Sequence, residues 1–286
     1  MRSVSIFARS ILARSNFAWG IAPVLAVLAL AGTPSATANG DDLYQAQTIV
    51  TGEREETRLP GFAECLEYVL VKVSGDTRLI GDKRVAALAG EARSFVRDFR
   101  YHDRMSGIPH HDEQGTRDRP YDLIVTFDRA KIDAALHALG REPWAGPRPR
   151  IVVFLGMRNM TTAFMVAGDG DRELERSALV AAAAQRGMPM MLPSQAALAE
   201  SGLRFEDLPA ADLSRLDATA TAIGGEKALV GSMAWSDAAL GWIADWRLFS
   251  TGKTYQWQAR SVTFDDGFRQ AMGGVARILS GSGLPE

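Results

Sequence analysis

The residues whose types come nearest to a chemical site are His102, His110, His111, Asp112 and Glu113, which fall in one charged stretch. Imidazole and carboxylate together form a donor set for zinc or another divalent ion. A metal site needs its ligands held in fixed geometry. Here the histidines lack the i, i+4 spacing of one helix face, and Asp103 to Pro120 is rich in glycine, proline and charge. A solvated loop accounts for them without a metal. His137 follows Asp133 by four residues on the polar face of a predicted helix, which reads as a surface ion pair.

Nucleophilic catalysis has no foothold. There is no G-x-S-x-G elbow, and the single cysteine, Cys65, has no histidine placed beside it by local sequence. Cys65 shares an apolar helical stripe with Phe62, Leu66, Val69 and Val73, as a buried structural thiol does. Gly168-Asp169-Gly170-Asp171 lacks the third glycine of a dinucleotide fingerprint, the Gly-Lys-Ser/Thr of a P-loop and the spaced acids of a calcium loop. It reads as a turn before a helix, with Asp171 as the cap. Trp235, Trp242, Trp246, Tyr255 and Trp257 form the densest aromatic group. They suit either a platform for a sugar, peptide or partner strand, or the buried face of a sheet; alternation along the predicted strands favours the sheet. Met188, Met190 and Met191 read as core filling. No catalytic, cofactor-binding or metal-binding residue is assigned.

Two sets of elements must position these residues. The break between them is Gly140 to Arg150, where three prolines and two glycines fall within eleven residues. Ahead of it, Leu43 to Val50 predicts a strand, and a helix is expected from near Pro60 to Ser74 with Gly75 past its end. Asp82 to Ala89 predicts a short helix, and Ala92 to Met105 leads into a strand. Tyr121 to Phe127 alternates as a half-buried strand. Asp128 caps a helix with Ile132, Ala135, Leu136 and Leu139 on its apolar face, and Phe127 with Ile132 has the spacing of a hydrophobic staple. Helices on one face of a small sheet follow from that order.

After the break, Ile151 to Leu155 is an uninterrupted apolar run, the pattern of a strand buried on both faces. Thr162 to Ala167 is expected to pair with it, and Arg172 to Arg186 is a helix. Pro189 to Pro193 reads as a short strand, and Leu213, Leu216, Ala220 and Ile223 mark a further helix. Strands over Ala228 to Trp235, Gly241 to Phe249 and Thr254 to Val262 precede a closing helix from Asp266 to Leu279. The expected class is α/β (α+β): two small domains, 39–142 and 150–286, each a mixed or antiparallel sheet packed with helices, joined by a Pro-rich linker at 143–149.

The N-terminus tells where such a protein works. Arg2, Arg9 and Arg14 precede an apolar run from Ala18 to Ala31, and Ala36-Thr37-Ala38 follows, the pattern of a secretory signal peptide over 1–38. The run is short of the roughly 20 residues a membrane-spanning helix needs. Cleavage after Ala38 shortens the chain from 286 to 248 residues and removes three of its 32 basic but none of its 34 acidic residues, so the net charge moves from -2 to -5. An acidic exported chain argues against nucleic acid and against an electrostatic membrane surface. No cysteine lies near Ala38 to take a lipid, and Cys65 cannot pair within the chain. Overall, 47% hydrophobic and 23% charged residues exclude collagen-like, disordered and disulfide-stapled classes.

The order of features resembles a bacterial exported family, domain of unknown function 2066. The resemblance is carried by the first strand, Val69-Leu70-Val71-Lys72-Val73-Ser74-Gly75-Asp76, Val125-Thr126-Phe127-Asp128, Pro143-Trp144, Gln185-Arg186-Gly187-Met188-Pro189 and Leu192-Pro193. Pro60-Gly61 departs from that family's longer alanine-rich first helix. The family carries over no activity or site residue. The second half is also similar to the α/β domain of envelope proteins, such as the N-terminal domain of TolB and the curli-secretion and penicillin-binding-protein-activator relatives. The helix Leu213 to Ile223 leading into Ala228-Leu229-Val230-Gly231-Ser232, then a hairpin and closing helix, carries that likeness. In those proteins the domain contacts other envelope proteins. The expectation is a soluble periplasmic binding or scaffold protein with an envelope protein partner, no nucleic acid, no membrane span in the mature chain and no cofactor; the alternative is a metal-dependent or other hydrolase with a dispersed site that includes His110, His111, Asp112 and Glu113.

Overall fold

A computed structural model describes residues 42–107 and 118–285. The predicted leader and His110, His111, Asp112 and Glu113 lie outside these residues. The first sheet has three strands in the order β1-β3-β2, all antiparallel: β1 (Gln45–Thr51), β2 (Val96–Asp103) and β3 (Pro120–Phe127). Between β1 and β2 run α1 (Glu55–Ser74), α2 (Lys83–Ala89) and α3 (Ala92–Phe95), and α4 (Arg129–Ala138) follows β3. Ala46, Val50, Leu123 and Val125 turn inward with Phe62, Leu66 and Val69 of α1 and Ile132 and Leu136 of α4, forming one core. Gln47 and Ile49 on the other face are exposed, so the helices cover one face only.

Several local expectations hold and some are corrected. Asp128 caps α4 by accepting from the Lys131 amide, and Asp82 caps α2 through the Arg84 amide. Residues 42–44 form a single 3-10 turn, so β1 starts at Gln45 and not Leu43. Helix α1 starts at Glu55, which puts Pro60 inside it and not at its first position. The turn around Pro60 is exposed, and the Glu56 carbonyl that proline leaves unbonded can face water. At the other end Gly75 takes φ 73° and bonds back to the Val71 carbonyl. A side chain there would also meet Ser280, at 2.7 Å.

The second sheet is larger and mixed. Strand β4 (Ile151–Asn159) is flanked on one side by β7 (Lys227–Ser236), parallel, and on the other by β6 (Met190–Met191), parallel, and β5 (Thr162–Val166), antiparallel. Antiparallel β8 (Gly241–Ser250) and β9 (Lys253–Ser261) complete it. Helices α5 (Glu173–Gln185) and α8 (Phe264–Ser280) cover one face; α6 (Gln195–Ser201), a 3-10 segment Phe205–Ala210 and α7 (Leu213–Ala222) cover the other. Ile151, Val153, Leu155 and Met157 accordingly enter one core, and Val152 and Phe154 the opposite one. The reading of this run as a strand buried on both faces is right.

Residues 195–210 had no element assigned from sequence, and they fold as α6 and the 3-10 segment. Their presence explains a second correction. Asp171 does not cap α5, whose N-cap is Arg172 without a side-chain bond. Instead Asp169 accepts from the Gln195 amide at 2.7 Å, at the start of α6. The strand expected over Pro189 to Pro193 shrinks to its two methionines, since the flanking prolines lack amide donors.

Candidate functional site

The aromatic group is core. Trp246 is fully buried and Trp242 and Trp257 are nearly so. Trp246 lies across the β7–β8 pair from Gly231, where an added Cβ would fall 2.1 Å from the indole ring. Trp235 packs edge-on against Trp242 and donates its Nε1 hydrogen to Asp237. Met188 is also buried. Cys65 is fully buried, and burial above all pushes its thiol up to about 12, which removes it as a nucleophile. His102 is exposed, 3.5 Å from Asp122. His137 pairs with Glu142 and not with Asp133, which accepts from the Tyr44 hydroxyl at 2.7 Å. Among the described residues no group of three His, Cys, Asp or Glu side chains comes together as metal ligands do.

What the residue-by-residue reading missed lies along the seam between the two sheets. The segment after α4 is pinned there. The Trp144 amide donates to the Val73 carbonyl, and Arg148 stacks over the Trp144 ring with its Cζ 4.3 Å from the centroid. Arg148 then donates to the Lys72 carbonyl at 2.6 Å and the Arg186 carbonyl at 3.0 Å, joining the end of α1 to the end of α5. Burial pushes the Arg148 guanidinium down to about 10, so it remains cationic at neutral pH. Asp76, with no exposed surface, accepts from Arg78 and Arg141. Burial raises its carboxyl, but the hydrogen bonds and charges of these arginines outweigh burial and hold it below the usual carboxylate range.

On either side of this clamp the seam opens. The first opening is a groove of about 630 Å³ bordered by Gln45, Ala46 and Gln47 of β1, by Ala178, Ala181 and Ala182 of α5, and by Lys72, Asp265 and Arg269. Successive strand residues point to opposite faces. Three in a row bordering one groove means that the backbone edge of β1 itself faces it. That edge pairs with no other strand among the described residues. Lys72 Nζ donates to the Gln45 carbonyl at 2.7 Å and so occupies one acceptor of β1.

The second opening, about 550 Å³, is lined by Arg78, Arg186, Arg269, Arg277, Trp257 and Asp266 among others. Its arginines come from the turn after α1, the end of α5 and the length of α8. One signal was legible: Arg269, Gly273 and Arg277 recur every four residues, which stacks two cations on one broad face of the closing helix.

Comparison with known proteins adds one finding: a family model described as Domain of unknown function (DUF8605) matches residues 37–145. No curated protein and no solved structure matches the chain.

Proposed function

We propose that this is an exported binding protein of the cell envelope that holds an extended, apolar segment of a partner protein in the groove beside β1. One observation carries the reading: the edge of β1, unpaired among the described residues, borders a groove that is also lined by Ala178, Ala181 and Ala182 of α5, small side chains that leave room for another chain. An added strand satisfies the edge amides and carbonyls, and its alternate side chains would lie against α5. The leader-like N-terminus and the likeness of the second half to envelope domains that contact other proteins support the same reading. Among the described residues no helix is long and apolar enough to cross a membrane.

The test is selection of random peptides on the purified protein. Selected peptides should protect the amides of Gln45 to Thr48 from hydrogen exchange, and Ala181→Trp, which fills the groove from an exposed helix position, should weaken them at least tenfold. Peptides that bind without either effect would refute the reading. Stoichiometric zinc, lost when His110 and His111 are replaced, would put the hydrolase in its place. Export is checked separately: N-terminal sequencing of the periplasmic product should begin at Asn39.

A further inference from the structure

Three of the four most exposed large apolar side chains among the described residues stand at one end of the larger sheet: Leu240 at 75%, Val262 at 74% and Met160 at 72%. The fourth, Leu174, lies near the start of α5. Strand pairing fixes the grouping. Strands β4 and β7 run parallel with Arg158 opposite Ala234, so the turns that follow them emerge side by side. Strand β8 begins opposite the end of β7, Gly241 against Ser236, and β9 ends opposite the start of β8, Ser261 against Trp242. Leu240, the last residue before β8, and Val262, the first after β9, are therefore neighbours at the ends of adjacent strands. Met160 stands two strands from Leu240, about 10 Å at ordinary strand spacing.

Two of these side chains are held out against the local preference of the backbone. Met160 opens a two-residue turn between the paired Asn159 and Thr162 and takes φ 52°, and Leu240 closes the β7–β8 turn at φ 47°. Left-handed positions in hairpin turns favour glycine or asparagine. Among the described residues one other non-glycine residue has positive φ, the polar Thr251 in the turn at the opposite end of the sheet. A methionine and a leucine at such positions, both facing water, stabilise neither their turns nor a core. What they can gain is burial against something outside the chain.

Behind the tips lies a stiff aromatic ledge: Trp235 packs edge-on against Trp242 and Trp242 against Phe264, with ring centroids 5.8 and 6.5 Å apart. Trp235 and Phe264 are half-buried. The exposed Arg158, which lies over the Phe205 ring, and the exposed Arg260 each come two residues before a tip, roughly 7 Å along an extended strand.

We infer that this rim inserts into the surface of a lipid bilayer, with Met160, Leu240 and Val262 entering the hydrocarbon boundary. Separate projections suit a fluid apolar medium that closes around each of them, whereas a folded partner would need three pockets at matching spacing. Apolar tips, then tryptophan, then cations set back by several Å follow the passage from hydrocarbon to headgroup, where aromatic and arginine side chains favour the boundary. Acidic residues outnumber basic ones in the whole chain, 34 to 32, so apolar insertion and not net charge carries the contact.

Flotation of the purified protein with vesicles of phosphatidylethanolamine and phosphatidylglycerol tests the rim. The wild type should rise with the lipid. Met160→Asn and Leu240→Asn should each weaken partitioning about fivefold, and together more than about tenfold, because each withdraws one inserted apolar side chain. Asparagine accepts positive φ, so the melting temperatures should hold or rise and lost binding is not unfolding. Leu284→Asn, at a residue 64% exposed beyond the far end of α8, should leave binding unchanged. Raising the salt to about 0.5 M should weaken binding less than about threefold, since salt screens charges and not apolar contact. Absence of flotation, an equal loss in Leu284→Asn, or binding that survives in the double variant, as binding through the apolar run near the N-terminus would, overturns the inference. So does a concentration-dependent dimer that the double variant abolishes in place of lipid binding, which would assign the rim to a second copy of this chain.

Discussion

The two sheets of this protein solve the same problem with different amounts of cover. The three-stranded sheet lies under helices on one face, leaves Gln47 and Ile49 exposed on the other, and ends at the unpaired edge of β1. The larger sheet is enclosed at β4, with α5 and α8 on one face and α6, the 3-10 segment and α7 on the other, and opens on one face only at β9, where Gln256, Gln258 and Arg260 are exposed. Enclosure makes neighbouring positions of a strand equally buried, whereas one-sided cover makes them alternate. The difference teaches where binding can occur. A covered sheet has little to offer except at its rim, while an open edge beside a groove is a place for another chain.

The comparison can be broken most directly by placing charge at adjacent positions. In β4, Val152→Asp and Val153→Asp should each cost more than about 4 kcal/mol, because both side chains enter dry cores. In β1 only one of two neighbours should be so intolerant: Ala46→Asp unfolds the protein, and Gln47→Asp changes stability by less than about 0.5 kcal/mol. Urea denaturation of the four variants checks this, and equal costs at Ala46 and Gln47 would dissolve the distinction.

A slightly smaller effect is expected at the centre of the enclosed sheet. Trp246→Ala should cost about 4 kcal/mol, as truncation of a fully buried aromatic does. Gly231→Ala meets the indole directly and should also destabilise, but only while Trp246 is present. In a double-mutant cycle the Gly231→Ala penalty should therefore largely vanish on a Trp246→Ala background.

At the seam, Asp76→Asn should cost about 3 kcal/mol, because it strips the counter-charge from Arg78 and Arg141 around a buried carboxylate. The pH dependence has the same origin. The Asp76 carboxyl is lowered, so its contribution is present above the ordinary carboxylate range and is lost as the pH falls through its own lowered value. Acid melting curves of the wild type and Asp76→Asn should converge at that limit.

The smallest effect at neutral pH becomes visible only in alkali, and it belongs to the first sheet. Burial, the leading cause at each, raises Tyr44, Cys65 and Tyr68 to about 12. In the unfolded chain these groups ionise near pH 8.5 to 10, so their contribution is complete below that range and is lost as the pH climbs toward about 12. Melting temperature should fall across that window, with exchange protection lost first around α1. At pH 8 the Cys65 thiol should resist alkylation until the protein unfolds.

Much of the fold was legible along the chain because local signals agreed with the final packing. Asp128 capping α4, the alternation of Leu123, Val125 and Phe127, the continuous run from Ile151 and the buried alternation of Trp242 and Trp246 all appear where their patterns put them. The failures have physical causes. Pro60 resembles a helix start, yet an exposed turn tolerates it in the interior. Asp171 resembles a cap, yet the working aspartate, Asp169, serves a different helix 26 residues away. His137 pairs with Glu142, while Asp133 accepts from Tyr44, a residue 89 positions away in sequence.

The sequence by itself determined the elements, the alternation that buries the tryptophans and the inward-facing thiol, because each follows from spacing within a few turns of chain. It also held Arg186 in plain view, in Gln185-Arg186-Gly187-Met188-Pro189, without showing what that arginine faces. Only the tertiary structure decided that Arg186 is buried with its Nε and Nη1 unbonded among the described residues, and that the edge of β1 opens onto alanines of α5. Whether a charge is costly, and whether an edge is open, depends on which groups from elsewhere arrive beside it, and no local pattern encodes that arrival.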